Sequence, residues 1–359
     1  MRQTVPPSDA ACVATAGGLL GALRSLHCAA RRWALRFSIP DNFPVVYQDD
    51  HPALAPLRAR GEVALHSTRH QSETELIERM RGATAAINVR AYSKFTDAVF
   101  AALPELKFVT VMGTGTDNID LVAAARRGVV VSNTPTAPTV SVAEHTLLMT
   151  LAIAKNLIPM HNALRQGQWR HIPGIELRGK TFGFVGLGII AQELAPAIRA
   201  LGMRMVGWSL THDTRRADRL GVELVALDDL LRRSDIISLH LRASDRTRHI
   251  IGARELGLMK STAYLVNAGR GALVDEGALY ETLTAGRIAG AAIDVFQTEP
   301  LPANSPLLTL DNVVVTPHVA WVTDRGIERM AIHPVENITA FLEGRPKFVV
   351  TPAPPADRR

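Results

Sequence analysis

His318 lies just past a Val-rich run in NVVVTPHVAW (312–321). Histidine is the side chain best suited to give and take a proton near neutral pH. A lone histidine after a strand is more often structural than catalytic, so its meaning depends on its companions. Two residues occupy comparable positions. Arg270 sits in the glycine-flanked turn of YLVNAGRGALVDE (264–276), and Glu299 follows Asp294 by five residues in AAIDVFQTEP (291–300). Upstream, VGLGIIAQELA (185–195) has the pattern G-x-G-x-x-A, with Gly186, Gly188 and Ala191. The first glycine permits a tight turn and the second lets backbone approach a pyrophosphate. The third position needs only a small residue where helix meets strand. An arginine, a glutamate and a histidine at successive strand ends, beside a dinucleotide loop, form a working set for reducing a 2-keto acid.

Other solutions to nicotinamide chemistry are absent. Four residues after Tyr47, Tyr92, Tyr264 and Tyr280 come His51, Thr96, Ala268 and Thr284, so there is no Tyr-x-x-x-Lys pair. The only cysteines are Cys12 and Cys28, which removes a thiol adduct, a disulfide framework and a cysteine zinc site from residues 41–359. No H-E-x-x-H occurs, and no metal is expected. Past Gly188, where an acidic residue would grip the adenosine ribose, the second strand ends in Ser209. Serine does not repel a 2′-phosphate, and Arg215 and Arg216 follow, so NAD is expected with NADP left open.

Short runs rich in Val and Ile and bounded by turn residues must position these groups. They predict strands at 85–89, 107–113, 128–133, 181–186, 203–209, 236–240, 263–268, 289–296 and 312–317. Helices are expected between them, with a long one over 141–169 opened by Ser141 and Glu144 as a capping box. A last helix is expected near 323–343. Strand–helix alternation at this spacing means parallel sheets covered by helices, and 359 residues suffice for about two domains. The class is α/β, with two doubly wound parallel-sheet domains.

The net charge of +6 invites a nucleic-acid reading. Residues 1–40, however, hold Arg2, Arg24, Arg31, Arg32 and Arg36 against Asp9, and so carry four of the six excess charges. The remaining arginine pairs are scattered, and no nucleic-acid partner is expected. VATAGGLLGAL (13–23) has the length of a signal-peptide apolar segment, but Pro6, Pro7 and Asp9 replace a basic leader. Residues 1–38 therefore read as an extension without fixed structure, and 351–359 as a tail. No window reaches the roughly 18 apolar residues of a membrane helix. A cytoplasmic protein is expected.

From about Ile39 to Phe348 the chain resembles the D-isomer-specific 2-hydroxyacid dehydrogenases. The resemblance rests on GTGTDNID (113–120), SVAEHTLLMTLA (141–152), LRGKTFGFVGLGIIA (177–191), LMKSTAYLVNAGRGALVDE (258–276), AAIDVFQTEPLP (291–302) and TPHVAW (316–321). The spacings of 29 from Arg270 to Glu299 and 19 from Glu299 to His318 fit it. It implies a Rossmann cofactor domain (140–318) inserted into a flavodoxin-like substrate domain formed by 39–139 and 319–350.

The resemblance also implies roles. Arg270 would grip the substrate carboxylate and carbonyl, His318 would protonate the developing alkoxide, and Glu299 would orient His318. Asp294 would face the nicotinamide carboxamide, with Gly186, Gly188, Ile189, Ile190, Ser209 and Ala268 on the cofactor. Arg90, Gly113 and Thr114 would line the substrate side, and Trp321 would shape its pocket. Ile189 stands where many relatives carry a basic residue. A small 2-keto or 2-hydroxy acid is the expected partner, with a homodimer as the assembly. The alternative reading is a dinucleotide-sensing, corepressor-like binding protein on the same fold.

Overall fold

The computed structural model describes residues 35–43, 45–89 and 92–352. Most of the expected N-terminal extension, the end of the tail and the candidate Arg90 lie outside these. Among the described residues, twelve strands form two parallel sheets. The first sheet contains β1 (Leu35–Ile39), β2 (Gly61–Leu65), β3 (Ala85–Asn88), β4 (Phe108–Val111) and β5 (Val130–Asn133), in the order β2-β1-β3-β4-β5. That is the flavodoxin-like order. β3, β4 and β5 are buried at every residue, as strands covered on both faces must be. β1 starts at Leu35, four residues inside the stretch read as an extension, and pairs with β2 from Leu35↔Gly61 to Ile39↔Leu65.

The second sheet contains β6 (Thr181–Val185), β7 (Arg204–Trp208), β8 (Glu223–Leu224), β9 (Ile236–Leu239), β10 (Tyr264–Asn267), β11 (Gly290–Ile293) and β12 (Val313–Val315). Its order, β12-β11-β10-β9-β6-β7-β8, reverses between β9 and β6, as in the dinucleotide-binding fold. Both sheets are thus doubly wound.

The expected helix over 141–169 is two helices, Thr139–Ala154 and Leu157–Arg165, broken at Asn156 with φ 50°. The first has no side-chain cap. Ser141 is buried, and its Oγ meets Thr323 Oγ1 at 2.7 Å instead of capping. This helix packs Ala143, Met149 and Ile153 against Phe182, Phe184, Ala191, Leu194 and Ile198 of the second sheet's core.

The chain then returns to the first sheet. Thr323 caps the helix Asp324–Leu342 by accepting from Gly326 N–H. That helix buries Met330, Ala331, Val335, Ile338 and Phe341 against Phe37, Ile39, Ile87 and Phe108. Polar bonds fix its register: Asn337 Nδ2 donates to Thr110 Oγ1 and Ser132 Oγ, both at 3.2 Å, and Tyr47 Oη donates to Ala331 O at 2.8 Å. Val350 N–H and Val131 O meet at 2.8 Å, so the chain stays bound to the edge strand β5 past the helix.

Candidate active site

The glycine-rich turn joins β6 to the helix Ile189–Ala200. Gly186 has φ 106°, and a Cβ there would meet His240 O at 2.6 Å, so only glycine fits. At Gly188 a Cβ would meet nothing closer than His240 O at 3.8 Å, so the backbone is open to a close ligand. The helix N-terminus behind it presents free N–H groups and its positive dipole end. A cavity of about 420 Å³ lies over it, lined by Thr136 in the loop after β5, by Thr139 and Val140 at the start of the helix Thr139–Ala154, and by Ile189, Gln192 and Glu193. These features fit a dinucleotide pyrophosphate. Ile189 is exposed and Ile190 half-buried at the helix start, while Ala268 is half-buried just past β10. Ser209 follows β7 and donates to Thr211 O at 2.5 Å. Arg216 reaches back from the next helix to Leu187 O in the glycine turn at 3.2 Å and pairs with Asp213 at 3.0 Å.

Arg270 follows β10 on a turn clamped by Asn267, whose Oδ1 accepts from Gly269 N–H and whose Nδ2 donates to Arg270 O, at 3.1 and 3.0 Å. Its guanidinium reaches the other sheet. Nε donates to Asp117 Oδ2 at 3.1 Å, in the loop after β4, and Nη1 donates to Gly269 O at 2.8 Å. His318 follows β12 and pairs through Nδ1 with Glu299 Oε2 at 2.7 Å. Glu299 Oε1 also accepts from Phe296 N–H at 3.0 Å. Burial resists ionisation of Glu299, but His318, the Phe296 N–H and the Arg270 charge outweigh it and hold the carboxyl below its usual range. With Nδ1 on the carboxylate, Nε2 is the nitrogen left for substrate.

His318 itself has φ 54°, a left-handed backbone that a non-glycine residue adopts only when its surroundings impose it. The surroundings here are Asp294. Its carbonyl accepts from His318 N–H at 2.8 Å. Its Oδ1 accepts from Thr316 Oγ1 at 2.5 Å and Val319 N–H at 2.9 Å, and its Oδ2 from Ala320 N–H at 3.1 Å. Asp294 is fully buried, and His145 adds Nε2 contacts of 3.1 Å to Thr316 Oγ1 and 3.6 Å to Asp294.

The structure therefore brings Arg270, Glu299 and His318 to the C-terminal edge of one sheet. Asp294, expected toward the nicotinamide, spends both carboxylate oxygens on the His318 loop. Gly113 N–H, expected to line the substrate cleft, donates to Thr134 Oγ1 at 2.7 Å, and Thr114 O accepts from Asn133 Nδ2 at 2.8 Å. Trp321 is buried in the core between the last helix and the first sheet. Local pattern does not single out Asp117 or His145, although they lie within GTGTDNID (113–120) and SVAEHTLLMTLA (141–152).

A parallel sheet with a glycine turn at its order reversal, and an Arg–Glu–His edge beside it, defines a nicotinamide-dinucleotide dehydrogenase. Residues 147–320 match the D-isomer specific 2-hydroxyacid dehydrogenase NAD binding domain. Over 267 residues the chain is 43% identical to a glyoxylate reductase of Aeropyrum pernix, covering 71% of this chain and 80% of that one. It is 41% identical over 276 residues to a D-3-phosphoglycerate dehydrogenase of Methanocaldococcus jannaschii, covering 76% of this chain and 52% of the relative, so it spans about half of that relative's length. An acyclic imino acid reductase solved with NADPH and D-Arg superposes with TM-score 0.80 at 28% identity, covering 88% of this chain and all of that one. The chain belongs to the D-isomer-specific 2-hydroxyacid dehydrogenase family, and it is an NAD(P)-dependent oxidoreductase acting on CH–OH donors. Nothing among these relatives supports the corepressor-like alternative.

Proposed function

We propose that the chain interconverts a 2-keto acid and its D-2-hydroxy acid at the Arg270–Glu299–His318 edge. The observation that carries this reading is the 2.7 Å contact of His318 Nδ1 with Glu299, which leaves Nε2 for substrate past the end of β12, two strands along the sheet from β10 and its Arg270. Bound nicotinamide supplies the hydride in reduction and accepts it in oxidation. Arg270 grips the carboxylate and polarises the carbonyl, turning to substrate its Nη2 edge, which makes no hydrogen bond among the described residues. His318 donates a proton from Nε2 to the oxygen as negative charge develops there. Glu299 keeps the imidazole oriented and compensates its positive charge.

On this reading the second sheet, within 140–318, is the cofactor domain. The first sheet, with 319–350 and Leu35–Ser38 added to 39–139, is the substrate domain. Ser209 leaves the adenosine ribose without a carboxylate, so both NAD and NADP fit. A second copy of the chain is the proposed partner for the 148–169 region, which exposes Leu148, Leu157, Ile158, Leu164 and Trp169, the last 81% exposed. The cysteine-free body and the dinucleotide requirement support a cytoplasmic location. Initial rates for a panel of 2-keto acids with NADH and with NADPH test the reading. Turnover of at least one acid, yielding the D product, is expected, and no turnover with either dinucleotide overturns it.

A further inference from the structure

Beside the Arg270–Glu299–His318 edge lies a further carboxylate that the proposed chemistry does not use. Glu276 opens the helix Glu276–Thr284, just after its cap Asp275, and its Oε1 accepts from Gln297 N–H. The neighbouring amide, Phe296 N–H, donates to Glu299 Oε1 at 3.0 Å. Two successive N–H groups of one loop are thus held by two carboxylates. Burial raises the Glu276 pKa, the Gln297 N–H opposes the rise, and the charge of Glu299 adds to it. The positive end of the helix favours the ionised form. Among the described residues Glu276 makes no ion pair, so no cation neutralises it.

The loop between the two carboxylates is built rather than loose. Gln297 Nε2 donates to Val274 O at 2.8 Å and meets His249 Nε2 at 3.0 Å. His249 has a left-handed backbone, φ 49°, and its N–H donates to Ala272 O at 2.8 Å. A Cβ on Gly271 would lie 2.0 Å from the Phe296 carbonyl carbon, so the turn that carries Arg270 rests directly on this loop. The charged and titratable groups around the pair are therefore Arg270 and His318 on the Glu299 side, His249 across Gln297, and Asp275 on the helix of Glu276 itself.

We infer that Glu276 is a positioning residue whose unpaired carboxylate acts through Glu299 to hold the proton on His318. Its consequence for catalysis rests on the proposed reaction, in which His318 gives that proton to the substrate oxygen. A negative charge near the Glu299–His318 pair favours the imidazolium, so removing it lets the proton leave at lower pH. Glu276 makes no contact with His318, so the effect is about 0.5 to 1 pH unit, below the roughly 1–3 units of a charge within about 6 Å.

Glu276→Gln tests this, because it keeps the size of the side chain and an oxygen for Gln297 N–H while removing the charge. The alkaline limb of kcat/KM for keto-acid reduction is expected to move to lower pH by about 0.5 to 1 unit, and the acid limb of hydroxy-acid oxidation to move the same way. Gln297→Leu removes the clamp and keeps the charge, so it is expected to lower kcat without moving either limb. The His318 ring titration, followed by proton NMR and identified by the signal lost in His318→Asn, is expected to shift with Glu276→Gln by the same amount and needs no turnover. An imidazole titration unmoved in Glu276→Gln overturns the inference, as does a rate lowered equally at every pH. Absence of turnover in the wild-type enzyme defeats the proposed reaction instead, and the imidazole titration then still decides whether Glu276 holds the proton.

Discussion

Replacing Asp294 by Asn tests how His318, the proposed proton donor, is held. The carboxylate is fully buried and accepts three hydrogen bonds from the loop 316–320, at 2.5, 2.9 and 3.1 Å. Asparagine keeps an oxygen for Thr316 and Val319 but turns an NH2 toward Ala320 N–H, which then has no acceptor. Losing one bond to a charged group costs about 1.5–3 kcal/mol. A shift of the left-handed His318 by about 1 Å costs roughly 10²-fold in rate. Urea unfolding should therefore show a lowered midpoint, and kcat should fall far more than KM rises. The pH dependence sharpens the test. Burial alone would raise the Asp294 pKa, but His145, Thr316 and the Val319 and Ala320 N–H groups outweigh it and hold the carboxyl below its usual range. Its contribution is complete above the ordinary aspartate range near about pH 4. It is lost as pH falls through the lower folded value, so the gap between wild type and variant closes on acidification. A variant as stable and as fast as wild type at pH 7 would refute the positioning role.

Gly115→Ala places a Cβ 1.9 Å from Arg270 Nη2 and must push the guanidinium off Asp117. Steady-state kinetics should show kcat/KM for the keto acid reduced about 10- to 100-fold, the worth of one charged hydrogen bond. Ser209→Asp puts a carboxylate beside the adenosine ribose; the ratio of kcat/KM for NADPH to that for NADH should drop, and an unchanged ratio would place the 2′-position elsewhere. Burial pushes His240 from 6.5 down to about 4, with Nε2 unpartnered. The unfolded chain then takes up a proton that the folded one refuses, so stability falls as pH drops across that interval. His240→Gln should flatten that part of the melting-temperature profile.

The proposed trio was legible because each member follows a strand that local pattern reveals, and strand ends on one parallel sheet share an edge. The partners that hold the trio were not, since they come from distant chain. Asp117 lies 153 residues before Arg270 on the other sheet, and His145 lies 171 residues before Thr316. The break at Asn156 was hidden because the preceding helix is apolar nearly all round, so its periodicity gives no phase to interrupt. The edge strand β2 is only half-buried, and β8 has two residues, too little for alternation to register. Ser141 reads locally as a cap because the pattern cannot show that Thr323 will claim its hydroxyl.

In the proposed reaction His318 moves the proton while other groups hold the dinucleotide. The measurement that reaches it most directly is the reduction rate of His318→Asn with its preferred 2-keto acid, taken beside dinucleotide affinity from nicotinamide fluorescence. A kcat lowered by about 10²- to 10⁴-fold, the usual worth of a positioned acid, is expected at unchanged affinity. A variant that reduces the acid at the wild-type rate would contradict it.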